Sequence, residues 1–259
     1  MKKHIIDLQV RVVEHIHDRY VLLRLTDPRG PLPAMCPGQF VQVRVDNSPA
    51  TYLRRPVSIH YVDRRANELW LLVRVAGEGT RHLAMLHAGD TLNAVLPLGN
   101  GFTMPASAGD RPLLVGGGVG VAPLLYAGAR MRELGVEPTF LLGARGRDDL
   151  LQIREFRRVG RVFVATEDGS EGERGLVTRH SLLRGERFTR ISVCGPKPMM
   201  VAVARFARQA GVACEVSLEN MMACGLGACL CCVEDTTEGN VCVCKEGPVF
   251  DIEKLKWQI

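Results

Sequence analysis

The sequence predicts a multi-module protein in which an antiparallel β-barrel precedes an α/β domain with a parallel sheet and a small cysteine-rich C-terminal module. Three observations support this fold class. Six short strand-like segments come before residue 102, strand-like and helix-like segments alternate over 103–218, and six of the nine cysteines lie in 219–250. We therefore expect domains at 1–102, 103–218 and 219–259, since 259 residues suffice for about two ordinary domains and a small module.

The composition indicates a globular chain, with 46% apolar and 24% charged residues. The net charge is only +5, and the arginines are scattered, which argues against nucleic-acid binding. No apolar run is long enough to span a bilayer, and the N-terminal residues lack the apolar core of a signal peptide. Nine bunched cysteines favour metal ligation in a reducing compartment over disulfides, so we expect a cytoplasmic protein without a membrane partner.

Short alternating strands account for the predicted barrel. The strand segments are Ile6–Val13, Tyr20–Leu25, Gln39–Val45, Val57–Val62, Leu69–Val75 and Thr91–Val95, with one brief helix at Thr80–His87. Turn-rich stretches at 27–30, 46–49 and 88–90 separate several of these strands. The stretch Pro97–Phe102 (PLGNGF) is most simply interpreted as the turn between domains.

Alternation of strands and helices accounts for the α/β domain, because parallel strands need connections that cover both faces of the sheet. The predicted strands are Pro112–Val115, Thr139–Leu142, Val162–Thr166, Ile191–Cys194 and Ala213–Leu218. The predicted helices are Ala122–Leu134, Leu150–Val159 and Pro198–Ala210. The remaining cysteine-rich segment is too small for a core of its own, so we expect it to fold around a metal centre.

The spacing of the cysteines is the strongest functional pattern in the sequence. It comprises Cys224, Cys229 and Cys232 in C-x4-C-x2-C spacing, followed by Cys242 and Cys244. This spacing with one distal cysteine is the plant-type pattern of [2Fe–2S] ligands. Gly225 and Gly227 lie inside the loop, where glycine lets backbone N–H groups approach the sulfurs of a cluster.

The choice of ligands leaves alternatives. Cys231 would break the x2 spacing if it replaced Cys232. Cys242 and Cys244 compete for the fourth position, and we favour Cys244 because it adjoins the turn Lys245–Pro248. A zinc knuckle is less favoured, because zinc sites prefer C-x2-C pairs, and unliganded buried thiols are less favoured still.

A glycine run follows the first predicted strand of the α/β domain and precedes a helix. The run Leu114–Pro123 (LVGGGVGVAP) is in the context that a dinucleotide-phosphate loop requires, since backbone N–H groups and the helix dipole can face a pyrophosphate. Val121 stands where the G-x-G-x-x-G pattern has its third glycine. A tight strand–helix turn would explain two glycines but hardly four, so we favour nucleotide binding.

Three other segments are weaker candidates. The turn Cys194–Met200 (CGPKPMM) ends a predicted strand, where ligands bind in open α/β sheets, although a buried thiol at a turn explains it nearly as well. In the barrel, Arg55 and Ser58 would lie on opposite strand faces unless Pro56 bends the strand, and paired arginines are usually solvated. The segment Gly77–Thr80 suits an anion or an ordinary helix cap.

Together these modules resemble the ferredoxin-reductase superfamily, and most closely the electron-transfer subunits of class 1B dihydroorotate dehydrogenases. The resemblance covers essentially the whole chain. It is carried by RRPVSI at 54–59, GEGT at 77–80, PLGNGF at 97–102, VGGGVGVAP at 115–123, CGPKPMM at 194–200, and ENMMACGLGAC with CKEGPVF around the cysteines. Subunits of NADPH-dependent ferredoxin and sulfide dehydrogenases are similar but usually carry an aspartate at the position of Cys224.

The resemblance implies three cofactors and a partner. It implies FAD at Arg55, Pro56, Val57, Ser58, Gly79 and Thr80, NAD at Gly116, Gly117, Gly118, Gly120 and the turn Cys194, Gly195 and Pro196, and a [2Fe–2S] cluster on Cys224, Cys229, Cys232 and Cys244. It also implies an FMN-containing catalytic subunit that oxidises dihydroorotate, with two copies of each subunit. We expect no catalytic acid or base in this chain, because its task is to position cofactors.

Two rival hypotheses remain at this level. The chain could serve as an NAD(P)H-dependent flavin/iron–sulfur reductase subunit for ferredoxin, a hydrogenase or an oxygenase, or as a non-enzymatic module with a structural zinc. The identity of the partner separates the first rival, and the visible absorption of flavin and ferric cluster separates the second. Arg145 after the second α/β strand leaves room for a 2′-phosphate, so NAD over NADP is an expectation from the resemblance alone.

Overall fold

The computed structural model describes residues 2–257 and divides the chain into two compact units. The first unit runs up to Gly101 and adds Glu219–Glu234 and Asn240–Pro248. The second contains Phe102–Leu218, Asp235–Gly239 and the chain from Val249 onward. None of the helices in residues 2–257 is both long and apolar enough to cross a membrane.

A closed six-stranded antiparallel barrel forms most of the first unit, as predicted. Its strands are β1 (His4–His17), β2 (Tyr20–Thr26), β3 (Phe40–Val43), β4 (Arg55–Asp63), β5 (Glu68–Arg74) and β6 (Thr91–Leu98), with α1 (Glu78–Ala84) between the last two. They close in the order β1-β2-β5-β4-β3-β6. Fully buried aliphatic side chains on these strands, including Leu8, Leu22, Ile59 and Leu71, supply the core.

The second unit is built on a seven-stranded sheet. The elements that follow β6 along the chain are β7 (Pro112–Gly117), α2 (Ala122–Glu133), β8 (Thr139–Ala144), α3 (Ile153–Val159), β9 (Arg161–Thr166), β10 (Glu173–Arg174), α4 (Leu182–Gly185), β11 (Arg190–Cys194), α5 (Lys197–Ala210), β12 (Ala213–Ser217), β13 (Val233–Thr236), β14 (Gly239–Cys242), α6 (Val243–Glu246) and β15 (Val249–Asp251). Of these, α6 belongs to the first unit, and β13 and β14 each have residues in both units. The strand order is β10-β9-β8-β7-β11-β12-β15, and every pair is parallel except β12 with β15.

The strand order of this sheet identifies a candidate binding edge. From β7 the chain adds β8, β9 and β10 on one side, and then returns to place β11 on the other side of β7. In open α/β sheets, ligands bind outside the carboxyl ends of the strands at such a reversal of strand order. The glycine run follows β7 and the Cys194 turn follows β11, so both predicted segments lie at this switch point.

Several short elements escaped prediction. The two-residue strand β10, the single-turn helices α4 and α6, and the small β13–β14 hairpin carry too little periodicity to predict from sequence. The predicted helix at 150–159 begins only at Ile153, because Gln152 adopts a left-handed conformation with φ 55°. Close packing of α2 on the sheet requires Gly128, since a Cβ there would lie 2.2 Å from Cζ of Phe140.

Candidate functional site

The two predicted barrel segments meet at the side chain of Arg55. A Cβ built on Gly79 would lie 2.9 Å from Nε of Arg55 and 3.1 Å from Cγ2 of Thr51. The guanidinium group donates to main-chain oxygens, with Nη1 of Arg55 2.8 Å from the carbonyl oxygen of Leu53. Within residues 2–257, Arg55 forms no ion pair with a carboxylate, so the charge of Arg55 is available to an anionic ligand.

The guanidinium group of the neighbouring Arg54 is hydrogen-bonded within the barrel. Its Nη1 lies 3.2 Å from the carbonyl oxygens of both Gln42 and Asn93, and its Nη2 lies 2.5 Å from Oδ1 of Asn93. Burial lowers the pKa of Arg54 from its ordinary value. Both arginines are half-buried, but the Arg54 guanidinium is held by Gln42 and Asn93, whereas that of Arg55 bonds only to main-chain oxygens of its own segment. Arg55 is therefore the better candidate for a phosphate ligand.

The strand that carries Arg55 and Ser58 is regular. Its pairing with β3 continues without a shift from Arg55 opposite Val43 to Ser58 opposite Phe40. Side chains alternate between the two faces of a strand, so Arg55 and Ser58 leave on opposite faces. The bend at Pro56 that would bring both to one phosphate is not observed. Val57 is buried and Pro56 is exposed.

Thr80 acts as part of a helix cap. Its hydroxyl oxygen accepts hydrogen bonds from the backbone N–H groups of Ala76 and Gly77, at 2.9 and 3.0 Å, and the hydroxyl pairs with the carbonyl of Gly77. These bonds hold the entry to α1 next to Arg55. The cap interpretation of this segment thus accounts for the threonine side chain.

The glycine run and the Cys194 turn pack directly on one another in the second unit. Cys194 is in register with Gly116 on the adjacent strand. A Cβ on Gly120 would lie 2.5 Å from the carbonyl oxygen of Cys194 and 2.5 Å from Cα of Gly195. A Cβ on Gly117 would lie 2.6 Å from Sδ of Met199. The structure therefore brings together the two segments that the sequence associates with one nucleotide.

Each glycine of the run has a structural reason of its own. Gly116, Gly117 and Gly120 leave no room for a side chain, and Gly118 has a φ of 55° with open space around it. Packing and backbone conformation explain all four, so the number of glycines is weaker evidence for a nucleotide than the sequence suggested. The location at the switch point, before α2 with its N-terminal Pro123, is the stronger argument.

The cysteine loop directs backbone N–H groups at sulfur atoms. The N–H of Leu226 lies 3.3 Å from Sγ of Cys224, and the N–H of Gly227 lies 3.1 Å from Sγ of Cys244. Gly225 and Gly227 have positive φ angles of 69° and 82°, which the loop requires to turn these N–H groups inward. Donors of this kind stabilise thiolates and tune the potential of a cluster.

The same environment separates the acidities of the thiols. Burial raises the pKa of Cys224, but hydrogen bonds from the backbone of Leu226 and Cys229 outweigh it, and the pKa is about 6. Burial and the thiol of Cys232 raise the pKa of Cys244 to about 12. Cys224 is thus associated with Cys229, and Cys244 with Cys232, whose Sγ lies 3.4 Å from the N–H of Cys244.

The remaining cysteines of the segment differ in exposure. Cys231 is exposed beside the buried Cys232, and Cys229 is also exposed. Cys242 is half-buried, and burial together with the neighbouring cysteines raises its pKa. Its Sγ lies 3.9 Å from the carbonyl oxygen of Gly227, whereas Cys244 receives the N–H of the same residue.

Residues before the second unit hold the segment that follows Cys244. The N–H of Asn100 donates to the carbonyl oxygen of Gly247 at 2.6 Å, and Nδ2 of Asn100 donates to that of Glu246 at 2.9 Å. The PLGNGF stretch is therefore an anchor for CKEGPVF as well as a connection. The sequence offered no signal for this contact, because its partners lie 146 positions apart.

Contacts among the cysteines associate four of them in two pairs. Across residues 2–257, no three cysteine, histidine or acidic side chains converge as they would on a single metal ion. Each iron of a cysteine-ligated [2Fe–2S] cluster is held by two of the four thiolates, so the cluster needs two pairs. The association of Cys224 with Cys229 and of Cys232 with Cys244 provides such pairs.

Comparison with known proteins assigns the C-terminal segment. Residues 219–256 match the family described as the iron–sulfur cluster binding domain of dihydroorotate dehydrogenase B. The match covers the loop from Cys224 to Cys232 and the segment around Cys244.

Curated relatives cover most of the chain. The electron transfer subunit of dihydroorotate dehydrogenase B (NAD(+)) from Shouchella clausii is 39% identical over 225 residues, which are 85% of this chain and 86% of the relative. The subunit of the same name from Bacillus caldolyticus is 41% identical over 219 residues, 83% of this chain and 84% of the relative.

A solved structure supports the fold over nearly the whole chain. The structure of an NADH-dependent reduced ferredoxin-NADP oxidoreductase, described for flavin-based electron bifurcation, superposes with a TM-score of 0.86 at 30% identity. The superposition covers 96% of this chain and 90% of the other.

Proposed function

The chain belongs to the family of electron transfer subunits of dihydroorotate dehydrogenase B, and we propose that it carries electrons from the FMN of a catalytic subunit to NAD⁺ in pyrimidine biosynthesis. It would do so through a [2Fe–2S] cluster and FAD. When bound, FAD supplies both one-electron and hydride chemistry, which links a one-electron cluster to a nicotinamide. The observation that supports this best is the cysteine loop, in which N–H groups already point at sulfur atoms.

The four proposed cluster ligands are Cys224, Cys229, Cys232 and Cys244. The donor set fits, because thiolates are the ligands that iron–sulfur clusters require and the loop offers them two pairs. Cys244 is preferred to Cys242 because it receives the N–H of Gly227 and because Asn100 holds the turn that follows. Cys242 and Cys231 remain additional thiols.

The barrel residues proposed to hold FAD are Arg55, Pro56, Val57, Ser58, Gly79 and Thr80. Arg55 fits a diphosphate because its guanidinium group has no recorded carboxylate partner in residues 2–257 and lies against the capped start of α1. Ser58 is on the opposite strand face and would serve a different part of the cofactor. The cluster loop and these residues belong to the same compact unit.

The proposed NAD residues in the second unit are Gly116, Gly117, Gly118, Gly120, Cys194, Gly195 and Pro196. The space beside Gly118 and the position at the switch point fit a dinucleotide phosphate. Arg145 forms an ion pair with Asp149, with Nε 3.2 Å from Oδ2, which lowers its availability to a 2′-phosphate. This pairing supports NAD rather than NADP.

The partner proposed is an FMN-containing catalytic subunit, in an assembly with two copies of each subunit in the cytoplasm. The chain supplies positioning, and we expect no catalytic acid or base in it. Three functional modules are proposed at 1–102 for FAD, 103–218 for NAD and 219–259 for the cluster. The third module would owe its order to the metal centre, because it is too short to bury a core alone.

The test compares two cysteines that lie two positions apart in the cluster loop. Cys229→Ser should lower the iron and sulfide content and abolish dihydroorotate-driven reduction of NAD⁺ by the complex with the catalytic subunit. Reduction of the flavin by NADH should continue, because that reaction does not need the cluster. Cys231→Ser is the matched control, since it removes an exposed thiol outside the proposed ligand set; it should behave as wild type.

Two results would count against the proposal. Unchanged NAD⁺-linked dihydroorotate oxidation by the Cys229→Ser complex would show that electrons bypass the loop. Purification of the wild-type chain without air with zinc and no flavin would favour a structural module. A second candidate, a reductase subunit for ferredoxin, is favoured only by the 30% identity to the ferredoxin-NADP oxidoreductase. Co-purification with a ferredoxin-dependent partner in place of an FMN subunit would select it.

A further inference from the structure

One buried amide in the barrel has no hydrogen-bond partner. Gln42 lies on β3 with no solvent exposure, and its main-chain carbonyl oxygen accepts a hydrogen bond from Arg54. Within residues 2–257, neither Oε1 nor Nε2 of its side chain has a partner. A buried amide without a partner destabilises the folded state, so glutamine at this position calls for a reason beyond packing.

The amide faces the cluster loop. A Cβ built on Gly225 would lie 2.7 Å from Cγ of Gln42 and 3.0 Å from its Nε2. Gly225 directly follows Cys224, the first proposed ligand, and its missing side chain is what lets the loop lie against this amide. In register, Gln42 is opposite Pro56 of the proposed flavin segment. Its side chain therefore lies within one unit that carries both proposed cofactors.

The cross-strand neighbours of Gln42 are apolar. Pro56 is opposite it on β4 and Val95 is opposite it on β6, and neither side chain offers a hydrogen bond. A methionine of similar length would fill this space without leaving a polar group unsatisfied. The fold alone thus gives no advantage to glutamine at this position.

We propose that Gln42 is a positioning residue whose Nε2–H group donates a hydrogen bond to a sulfur of the iron–sulfur cluster. The inference rests on the proposed function, since it needs a cluster on the loop. No protein atom in residues 2–257, the sulfur of Cys224 included, accepts from Nε2, so the acceptor is an atom that the cluster brings. Inorganic sulfide accepts hydrogen bonds and has no proton to donate, which suits an amide nitrogen.

A donor at this place changes the redox properties of the cluster. Hydrogen bonds to cluster sulfurs are among the factors that set its reduction potential, and they favour the reduced, more negative state. Gln42 would therefore make the cluster easier to reduce. The proposal predicts a change in potential and in the spectrum of the reduced cluster, which a purely structural role of Gln42 would not produce.

The experiment measures the reduction potentials of the cluster and of the flavin in the full chain, purified without air and loaded with cluster and FAD. Gln42→Met removes the amide with little change in volume. At a fixed potential, the ratio of reduced to oxidised cluster, measured by electron paramagnetic resonance, should fall by about tenfold. This corresponds to a fall in the reduction potential of about 59 mV for one electron. The flavin potential and the rate of flavin reduction by NADH should stay at wild-type values.

Two further variants separate an effect on the cluster from an effect on folding. Gln42→Asn keeps an amide but withdraws it by one methylene, so it should also lower the cluster potential. Asn67→Gly is the control: Asn67 has a φ of 55°, which suits glycine, and its amide is bonded within the barrel, with Nδ2 2.9 Å from the carbonyl oxygen of Gly30. This control should reduce stability without moving the cluster potential.

The outcomes are distinct. A shifted flavin potential with an unchanged cluster would assign the amide to FAD and overturn the proposal. Unchanged potentials in both Gln42 variants, or failure of both to take up a cluster that the control retains, would overturn it as well. If the wild-type chain binds no cluster, the proposed function has failed. That result differs from one in which the wild-type chain binds a cluster whose potential does not depend on Gln42.

Discussion

Substitution of Gly120 by alanine should damage the proposed NAD site more than any other single methyl group in the glycine run. A Cβ at this position would lie 2.5 Å from the carbonyl oxygen of Cys194 and 2.5 and 2.6 Å from Cα and N of Gly195. All three are main-chain atoms, so no flexible side chain can turn aside. The strand–helix loop and the turn must separate for the methyl group to fit.

The size of the effect follows from these distances. Non-bonded carbon atoms settle at about 3.5–4.0 Å, so the two segments must move apart by roughly 1 Å. Overpacking of this kind costs about 1–3 kcal/mol, which corresponds to a fall in Tm of roughly 2–12 °C for a chain of about this length. A misplacement of about 1 Å at a reaction centre can cost about 100-fold in rate. We therefore expect NADH to reduce the flavin about 100-fold more slowly.

The assay mixes NADH with the FAD-loaded chain without air and follows the loss of flavin absorbance. Gly185→Ala is the control in the same unit, because nothing lies within 4 Å of the added Cβ and the position has no positive φ. It should leave the rate unchanged. Iron and FAD contents should be normal in both variants, since the cluster loop and barrel belong to the other unit. Wild-type flavin reduction and Tm in Gly120→Ala would refute the reasoning.

Two further predictions concern the first and second units. Arg55→Met should weaken FAD binding, measured by flavin titration, by about tenfold or more without lowering the stability of the flavin-free chain. Arg54→Met should instead lower the free energy of unfolding, measured with urea, by about 1–3 kcal/mol because its hydrogen-bond partners are left unpaired. Equal loss of FAD in both variants would contradict this prediction. Glu215 is buried, accepts from Ser192 Oγ at 2.7 Å and from the N–H of Thr103, and burial raises its pKa above 4.5. The folded state therefore binds more protons, and unfolding free energy should fall as pH rises from about 4.5 through the folded pKa; Glu215→Gln should remove that slope.

The sequence predicts elements with strong periodicity and misses contacts between distant segments. The alternation in β1 and the glycine-to-helix transition before α2 are local patterns, so both elements lie where they were expected. The barrel order is not a local property, because β1 pairs with β6 and β3 with β6 across long stretches of chain. No spacing rule in the sequence indicates those pairings.

The candidate site shows the same division. The C-x4-C-x2-C spacing is local and identifies the loop, whereas the anchoring of Cys244 by Asn100 depends on residues far apart in the sequence. Arg55 and Ser58 leave on opposite strand faces, as an ideal strand predicts, because Pro56 opposite Gln42 leaves the pairing with β3 regular. Gln42 itself is unremarkable in the sequence, and only its burial without a partner distinguishes it.

The way the polypeptide is divided has a consequence for its biogenesis. The chain passes between the two compact units five times, at 101/102, 218/219, 234/235, 239/240 and 248/249. A ribosome must therefore deliver almost the entire polypeptide before either unit holds all of its pieces. Iron delivery should follow translation, and a single protease nick should release no intact half.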